Sequence, residues 1–278
     1  MTHSDQAADS SDDARFAFGE NWRRFLDTLD DARIDFAATA LKDMLEVESL
    51  EGKRLLDIGS GSGLSSLAAR RLGAEVVSFD IDPESVACTA ILKDRYFPDD
   101  SQWRIEHGSA LDADYLRALG RFDIVYSWGV LHHTGSMWRA LENALIPLAK
   151  NGTLFVAIYN DQGIWSRGWS ALKRTYVALP RGLKFPLAVL SLVRLWGPAI
   201  VLDVLRGRGL RRWRDYKSCR GMSPWHDVVD WVGGYPFEVA KPEEIFDFYR
   251  DRGLTLRRLT TCAGGKGCNQ FVFDRRVP

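Results

Sequence analysis

The chain has 278 residues, of which 46% are hydrophobic, and its 37 basic and 37 acidic side chains give a formal net charge of zero. This length corresponds to one large domain or two small ones, and the balanced charge excludes a protein that binds nucleic acid through its overall charge. Four cysteines occur without a CxxC pair or a Cys/His cluster at zinc spacing. This predicts reduced thiols and no metal site, as is typical of a cytoplasmic protein.

The N-terminal region is predicted to be a tail followed by a helical cap. Residues 1–14 are polar and acidic and lack the apolar centre of a signal peptide, which predicts a disordered tail. From residue 15 to residue 50, apolar residues recur at three- and four-residue steps. This spacing predicts helices.

Strand and helix patterns alternate from residue 51 to residue 160, which predicts an α/β fold with a parallel sheet and helices on both faces. In residues 240–278, the helical stretch "KPEEIFDFYRDRG" precedes two strand patterns joined by "AGGKG". The two strands predict a hairpin, so the sheet should end in an antiparallel element. The predicted core therefore joins residues 51–160 to residues 240–278.

Residues 161–239 are predicted to form a helical insertion after the fifth strand. Residues 163–217 contain 12 Lys or Arg against two Asp, and four of the ten tryptophans. The insertion can act as a lid over an acceptor and as an oligomer contact. Alternatively, its 183–214 segment can lie on an anionic membrane surface, which would make the protein membrane-peripheral. Nucleic acid is the least favoured partner, because no RNA-recognition motif is present.

The stretch "LLDIGSGSG" ends the first strand and begins a helix. Gly59 and Gly61 allow a tight turn and the close approach of a ligand, Ser60 lies between them, and the N-terminus of the helix suits an anion. Asp57, inside the strand, can accept hydrogen bonds from a cationic amine. A dinucleotide fingerprint would place its third glycine where Leu64 stands. The loop therefore fits a zwitterionic amino-acid group better than a pyrophosphate.

A second carboxylate follows at the end of the next strand. Asp80 lies 21 residues after Gly59 and precedes Ile81, and a carboxylate at this spacing bonds ribose hydroxyls. Together with the loop, it predicts a nucleoside that carries an amino acid, as in S-adenosylmethionine. Two alternatives stay open: a nicotinamide-dependent oxidoreductase with a deviant fingerprint, and a non-catalytic, membrane-peripheral binding protein with the same fold.

The segments "LLDIGSGSG", "SFDID", "HGSALD" and "FDIVYSWGVLHH" resemble the successive motifs of class I S-adenosylmethionine-dependent methyltransferases. The wider pattern, with "FAFGENW", "HHTGSMW", "IYNDQG" and "GGYPFE", resembles a bacterial group labelled ubiquinone-type methyltransferases. The resemblance implies a Rossmann-like, seven-stranded, mostly parallel sheet with an antiparallel last strand. It also implies that Ser109, Ala110 and Leu111 flank the adenine and that Ser127 and Trp128 line the open side of the cofactor.

The expected reaction is methyl transfer to an oxygen or nitrogen of a small-molecule acceptor, such as a lipid, quinone or glycan intermediate. In open α/β sheets the site lies beyond the carboxyl ends of the strands. His132 follows the fourth strand and is favoured over His133 as a general base or orienting group, although a structural role for both stays open. Tyr159 follows the fifth strand. His226 and Asp227 lie in an aromatic stretch that can form a wall of the acceptor site or a packed cap.

Overall fold

The computed structural model describes residues 19–27, 29–210, 213 and 224–275. The chain divides into two compact units, one drawn from Phe18–Ser166 and Glu238–Pro278, and the other including Arg167–Phe237. The first unit carries the described sheet, and the second carries most of the described helices of the insertion. The tail predicted for residues 1–14 lies outside the described residues.

The strands have the bounds β1 Arg54–Ile58, β2 Glu75–Asp80, β3 Trp103–His107, β4 Phe122–Trp128, β5 Leu148–Tyr159, β6 Leu254–Thr260 and β7 Cys268–Arg275. The helices, in chain order, are α1 Gly19–Leu26, α2 Asp31–Leu45, α3 Leu64–Arg71, α4 Pro83–Tyr96, α5 Ala113–Ala118, α6 Met137–Asn143, α7 Ile164–Ala178, α8 Arg181–Leu205, α9 Pro224–Gly233 and α10 Pro242–Arg250. A 3₁₀ turn, Leu131–His133, lies between β4 and α6.

The strands form one sheet in the order β3-β2-β1-β4-β5-β7-β6. Strands β1 to β5 run parallel to one another, and β7 is antiparallel to both β5 and β6. The strand order reverses between β1 and β4, where ligands bind in open sheets of this kind. The predicted Rossmann-like, seven-stranded sheet with an antiparallel last strand is confirmed.

Apolar side chains of the strands are buried on both faces of the sheet. Leu55 of β1 belongs to a cluster with residues of α2, α3 and α4, whereas Leu56 belongs to a cluster with residues of α6 and α10. Successive residues of a strand point to opposite faces, so helices cover both sides, as predicted. Each fully buried leucine contributes roughly 1.5–3 kcal/mol to stability.

Aspartates start the helices that follow β2 and β3. Asp82 Oδ1 accepts a hydrogen bond of 3.0 Å from the backbone N–H of Glu84, at the start of α4. Asp112 Oδ1 accepts hydrogen bonds of 3.0 Å from the backbone N–H groups of Asp114 and Tyr115, at the start of α5. Because these caps satisfy donors that a helix leaves unpaired, they set where each helix begins beside the carboxyl edge of the sheet.

The second unit has its own small core. It is formed by α7, α8 and α9, and its buried apolar side chains are Tyr176, Ala188, Val228 and Val232. Lys173 is fully buried there. Its Nζ donates to the carbonyl of Trp231 and lies 4.3 Å from the centroid of the Trp231 ring and 4.6 Å from that of Phe237. The predicted helical insertion after the fifth strand is confirmed.

Candidate active site

The carboxyl ends of four neighbouring strands meet at one edge of the sheet, and each is followed by predicted site residues. Gly59 follows β1, Asp80 ends β2, Trp128 ends β4 and Tyr159 ends β5. Residues that are far apart in sequence are therefore brought to the edge where ligands bind in open α/β sheets.

Two glycines of the loop between β1 and α3 lie close to neighbouring side chains. Gly59 has a φ of +78°, and a Cβ built on it would lie 2.3 Å from Cγ1 of Val130. Gly61 has a φ of +53°, and its Cβ would lie 3.1 Å from Nε1 of Trp22 in α1. The loop backbone is thus packed between the segment after β4 and the N-terminal helix, in a conformation that favours glycine.

A third glycine, Gly63, packs α3 closely against α4. Its φ is +81°, and a Cβ there would lie 2.9 Å from the Cα of Thr89. Gly63 belongs to the same glycine loop as Gly59 and Gly61, but it was not among the predicted cofactor residues. Thr89 also fixes the predicted site residue Ser60, because the two hydroxyl oxygens lie 2.9 Å apart and Ser60 is buried.

A chain of buried hydrogen bonds supports Asp57. The hydroxyl of Ser66 donates to Asp57 Oδ2 at 2.5 Å, and Ser66 Oγ lies 2.6 Å from Ser78 Oγ. Trp103 Nε1 donates to Ser78 Oγ at 2.9 Å. An indole nitrogen only donates, and the Ser66 hydrogen is directed at Asp57, so the hydrogen bonds run in one direction from Trp103 to Asp57. Sequence reasoning did not identify Ser66, Ser78 or Trp103.

Asp57 is poised to ionise near neutral pH. Burial raises the pKa of its carboxyl to about 7, the hydrogen bond from Ser66 opposes this shift, and the charge of Asp80 adds to it. A nearby cation favours the charged form of such a carboxyl. Asp57 can therefore lose its proton when an ammonium group binds beside it.

Asp80 closes β2 and is held by backbone amides. Its Oδ2 accepts from the N–H of Gly61 at 2.9 Å, and its Oδ1 accepts from the N–H of Asp82 at 3.0 Å. Burial raises the pKa of Asp80, and these backbone hydrogen bonds oppose the shift. A carboxylate has about four lone-pair sites, so about two remain for hydroxyl donors such as those of a ribose. The next side chain, Ile81, is exposed and can cover an apolar base.

The loop after β3 carries Ser109, Ala110 and Leu111. Ser109 Oγ accepts from the N–H of Leu111 at 3.2 Å, which fixes the turn. Asn143 of α6 is buried, and its Nδ2 donates to the carbonyl of Ala110 at 3.0 Å. Asn143 is a positioning residue that carries no local motif, so sequence reasoning missed it.

Ser127 and Trp128, the last residues of β4, differ in accessibility. Ser127 is buried, and its hydroxyl donates to the carbonyl of Ile58 at 3.0 Å, which ties β4 to β1. Trp128 is 49% exposed. The indole is therefore the part of this pair that is open to a ligand.

His132, His133 and Tyr159 form an aromatic cluster at the carboxyl ends of β4 and β5. The ring centroids of His132 and Tyr159 are 3.9 Å apart, and His133 lies 4.5 Å from His132 and 5.5 Å from Tyr159. The backbone N–H of Tyr159 donates to His132 Nδ1 at 3.3 Å. Because Nδ1 accepts, the neutral ring of His132 carries its proton on Nε2.

The preference for His132 over His133 stays a prediction, and the two histidines differ in exposure. His132 is fully buried, whereas His133 is partly exposed. Glu238 holds the turn that bears them: its N–H donates to the carbonyl of His132 at 3.0 Å, and its Oε2 accepts from the N–H of Met137 at 2.9 Å. Burial raises the pKa of Glu238, and the hydrogen bond from Met137 opposes the shift. His133 is therefore the more accessible imidazole.

His226 and Asp227 lie in α9, which belongs to the second unit. Their side chains lie outside the described part of the structure, so their contact with an acceptor stays a prediction. Within the described residues, no group of three or more His, Cys, Asp or Glu side chains could hold a metal ion.

The residues at the carboxyl edge fit S-adenosylmethionine. Asp57, with a pKa of about 7, suits an ammonium group, and the carboxylate of Asp80 retains acceptor sites for ribose hydroxyls. The glycine loop offers backbone close to the ligand without side chains. We expect the adenine to lie between Ile81 and the loop that begins at Ser109.

Comparison with known proteins agrees with this fit. A family model described as a methyltransferase domain matches residues 29–213. A ubiquinone biosynthesis O-methyltransferase of Azorhizobium caulinodans is 28% identical over 188 residues, which are 63% of this chain and 72% of the relative. One of Xanthomonas campestris pv. campestris is 31% identical over 135 residues, 49% of this chain and 52% of the relative. The chain thus spans about half the length of the second relative.

A solved structure shares the fold. Magnesium protoporphyrin IX methyltransferase from Synechocystis PCC 6803, with bound S-adenosylmethionine, has a TM-score of 0.54 and 13% identity, over 97% of this chain and 100% of that one. The family match covers more than half of this chain and includes β1 to β5 with their carboxyl-end loops. The chain therefore belongs to the methyltransferase domain family, and it is a class I S-adenosylmethionine-dependent methyltransferase.

Proposed function

We propose that this enzyme methylates an oxygen or nitrogen atom of a small-molecule acceptor. The observation that carries the proposal is the cluster of His132, His133 and Tyr159 at the carboxyl ends of β4 and β5. Strand β4 lies next to β1, whose loop is expected to hold the cofactor, and β5 lies next to β4. A hydroxyl or ammonium acceptor must lose a proton, and an imidazole can take one near neutral pH.

When bound, S-adenosylmethionine supplies an electrophilic methyl group, which passes to the acceptor's lone pair as the carbon–sulfur bond breaks and a neutral thioether leaves. His133 accepts the proton that the acceptor loses. His132 keeps the cluster in place, because its Nδ1 is held by the Tyr159 N–H and its carbonyl by the Glu238 N–H. We expect the rings of Tyr159 and Trp128 to contact the acceptor and to orient it in line with the methyl group.

Phenolic hydroxyls are the first acceptor class to test. The relatives described above are named ubiquinone biosynthesis O-methyltransferases. The partly exposed Trp128 and Tyr159 also offer aromatic surface to a planar ring. Hydroxylated lipids, glycans and amines form the rest of the panel.

The experiment measures transfer of radiolabelled methyl groups from S-adenosylmethionine to this panel by the full chain. Asp80→Asn is the matched control, because it keeps the shape of the side chain but weakens the expected ribose contact. Transfer to an oxygen or nitrogen acceptor that is lost in Asp80→Asn supports the proposal. Cofactor binding without transfer to any such acceptor, or transfer only to carbon, contradicts it.

A further inference from the structure

The long helix α8 exposes apolar surface to solvent. Within the described residues, Gly182–Leu205 is the segment that is long and apolar enough to cross a membrane, and only 11% of its most apolar window is buried. A core helix of similar composition in a soluble protein would be mostly buried. The composition of α8 is therefore not explained by packing within its own unit.

Five of the exposed apolar side chains of α8 lie along one side of the helix. Leu183, Leu190, Val193, Val201 and Val204 are separated by three-, seven- and eight-residue steps, which place them on one helix face, and each is more than half exposed. On the opposite side, Ala188 is buried against the core formed with α9. We call these five side chains the α8 stripe.

The charges around the α8 stripe are positive. Arg194 is exposed within the stripe, and Arg206 and Arg208, just after the helix, are exposed as well. Asp203 is the one acidic residue of α8, and it is buried. The exposed surface of the helix is thus apolar and basic, which complements an anionic lipid surface.

The position of Arg194 distinguishes three possible surroundings of the α8 stripe: a membrane that the helix spans, a second copy of the chain, and the surface of a membrane. It lies twelve residues after Gly182 and eleven before Leu205, so a spanning helix would place its guanidinium at the centre of the hydrocarbon layer, where a charge is costly. A second copy packed along the same stripe would bury Arg194 against apolar side chains, without an exposed carboxylate of α8 to pair with it. A helix lying in the headgroup region lets Arg194 reach lipid phosphates while the stripe contacts acyl chains.

We propose that α8 binds an anionic membrane surface in the plane of the interface, through the α8 stripe and Arg194. This surface would bring the enzyme to acceptors that reside in or near the lipid. The inference depends on α8 alone, so membrane binding and methyl transfer can each fail without the other.

The test is co-sedimentation of the full chain with vesicles of phosphatidylcholine, alone or mixed with phosphatidylglycerol. We expect binding to the anionic vesicles that weakens as salt is raised. The double variant Leu190→Glu, Val201→Glu should lower the partition coefficient by at least about ten-fold, because two apolar side chains leave the acyl region. Phe36→Glu is the matched control: Phe36 is 76% exposed on α2, and its replacement should leave partitioning unchanged.

Circular dichroism and cofactor binding verify that each variant is folded. The proposal is overturned if the wild-type chain does not sediment with anionic vesicles, or if the double variant binds as well as wild type. Two further outcomes also contradict it. Resistance of the bound protein to extraction with alkaline carbonate would indicate a spanning helix. A wild-type dimer that becomes monomeric in the double variant, without vesicle binding by either, would indicate that a second copy of the chain covers the α8 stripe.

Discussion

The hydroxyl of Ser66 donates a 2.5 Å hydrogen bond to Asp57 Oδ2. This buried contact joins the first turn of α3 to the end of β1. The donor is itself supported from β2 and β3 through Ser78 and Trp103. Three strands and a helix therefore determine the environment of one carboxyl group. The consequences for cofactor binding can be measured.

Cofactor affinity should depend on pH through Asp57. The folded-state pKa of about 7 lies above the ordinary value of 3.8. The protonated carboxyl therefore stabilises the free enzyme fully below about pH 4, and this contribution is lost as the pH rises through about 7. An ammonium ligand needs the ionised form, so calorimetry should show affinity for S-adenosylmethionine about ten-fold weaker at pH 6 than at pH 8. Asp57→Asn should abolish this difference, and a wild-type affinity that is flat with pH would contradict the assignment.

Ser66→Ala should move that pH dependence upward. The hydrogen bond from Ser66 lowers the pKa of Asp57, so its removal raises the pKa further and shifts the midpoint of cofactor binding to higher pH. Unfolding stability should fall by about 1–3 kcal/mol, because a buried acceptor loses its donor. Ser65→Ala, in the same helix turn, removes a hydroxyl that bonds to Tyr126 instead. The midpoint in this control should match wild type; a shift of equal size in both variants argues against a specific role for Ser66.

Asp80→Asn should weaken cofactor binding by about a hundred-fold, because a charge-assisted acceptor of the ribose hydroxyls becomes a neutral amide. Asp82→Asn is the comparison. Asp82 caps α4 through the N–H of Glu84, and asparagine can replace it as a cap at little cost. Isothermal titration with S-adenosylmethionine separates the two variants. Similar affinities for both would show that Asp80 does not contact the cofactor.

Gly63→Ala and Gly120→Ala should differ in their cost. Both glycines have positive φ, +81° and +87°, but a Cβ at Gly120 meets nothing within 4 Å, whereas one at Gly63 would lie 2.9 Å from the Cα of Thr89. Urea denaturation should show a loss of about 1–2 kcal/mol for Gly120→Ala from backbone strain alone. For Gly63→Ala we expect at least about 2 kcal/mol more, since α3 and α4 must separate. Equal losses would mean that the helices adjust freely.

His133→Asn should lower turnover by about a hundred-fold or more while cofactor binding is retained, as expected for removal of a general base. His132→Asn should instead destabilise the fold by about 1–3 kcal/mol, because a buried, hydrogen-bonded ring is replaced. Steady-state kinetics and thermal unfolding of both variants check this. Loss of turnover in His132→Asn at unchanged stability would instead assign the general base to His132, as the sequence predicts.

Local patterns in the sequence were sufficient to locate the strand ends. Asp57 and Asp80 could be identified because each lies where a strand pattern meets a turn, and the order of such segments predicts a parallel sheet. The chain of hydrogen bonds that leads from Trp103 to Asp57 could not be predicted in this way. Trp103 and Ser78 are 25 residues apart, and Ser78 and Ser66 are 12 apart, so they meet only when three strands pair in register.

The different exposure of the two histidines could not be predicted either. His132 and His133 lie in a 3₁₀ turn, where successive side chains point about 120° apart, and the sequence does not show which of the two faces the interior. Their different exposure depends on the contact with Tyr159 and on the hydrogen bond from Glu238, which is more than a hundred residues away in the chain.

The position of β7 between β5 and β6 bears on how the protein can be shortened. The family match ends at residue 213, yet β7 pairs with β5 at seven positions from Thr153 to Tyr159. A fragment that stops at residue 213 would leave this length of β5 as an open edge, and exposed strand edges are templates for aggregation. The residues downstream of the insertion therefore cover the edge of β5, the strand that ends at Tyr159. Any truncated form intended for crystallisation should retain them.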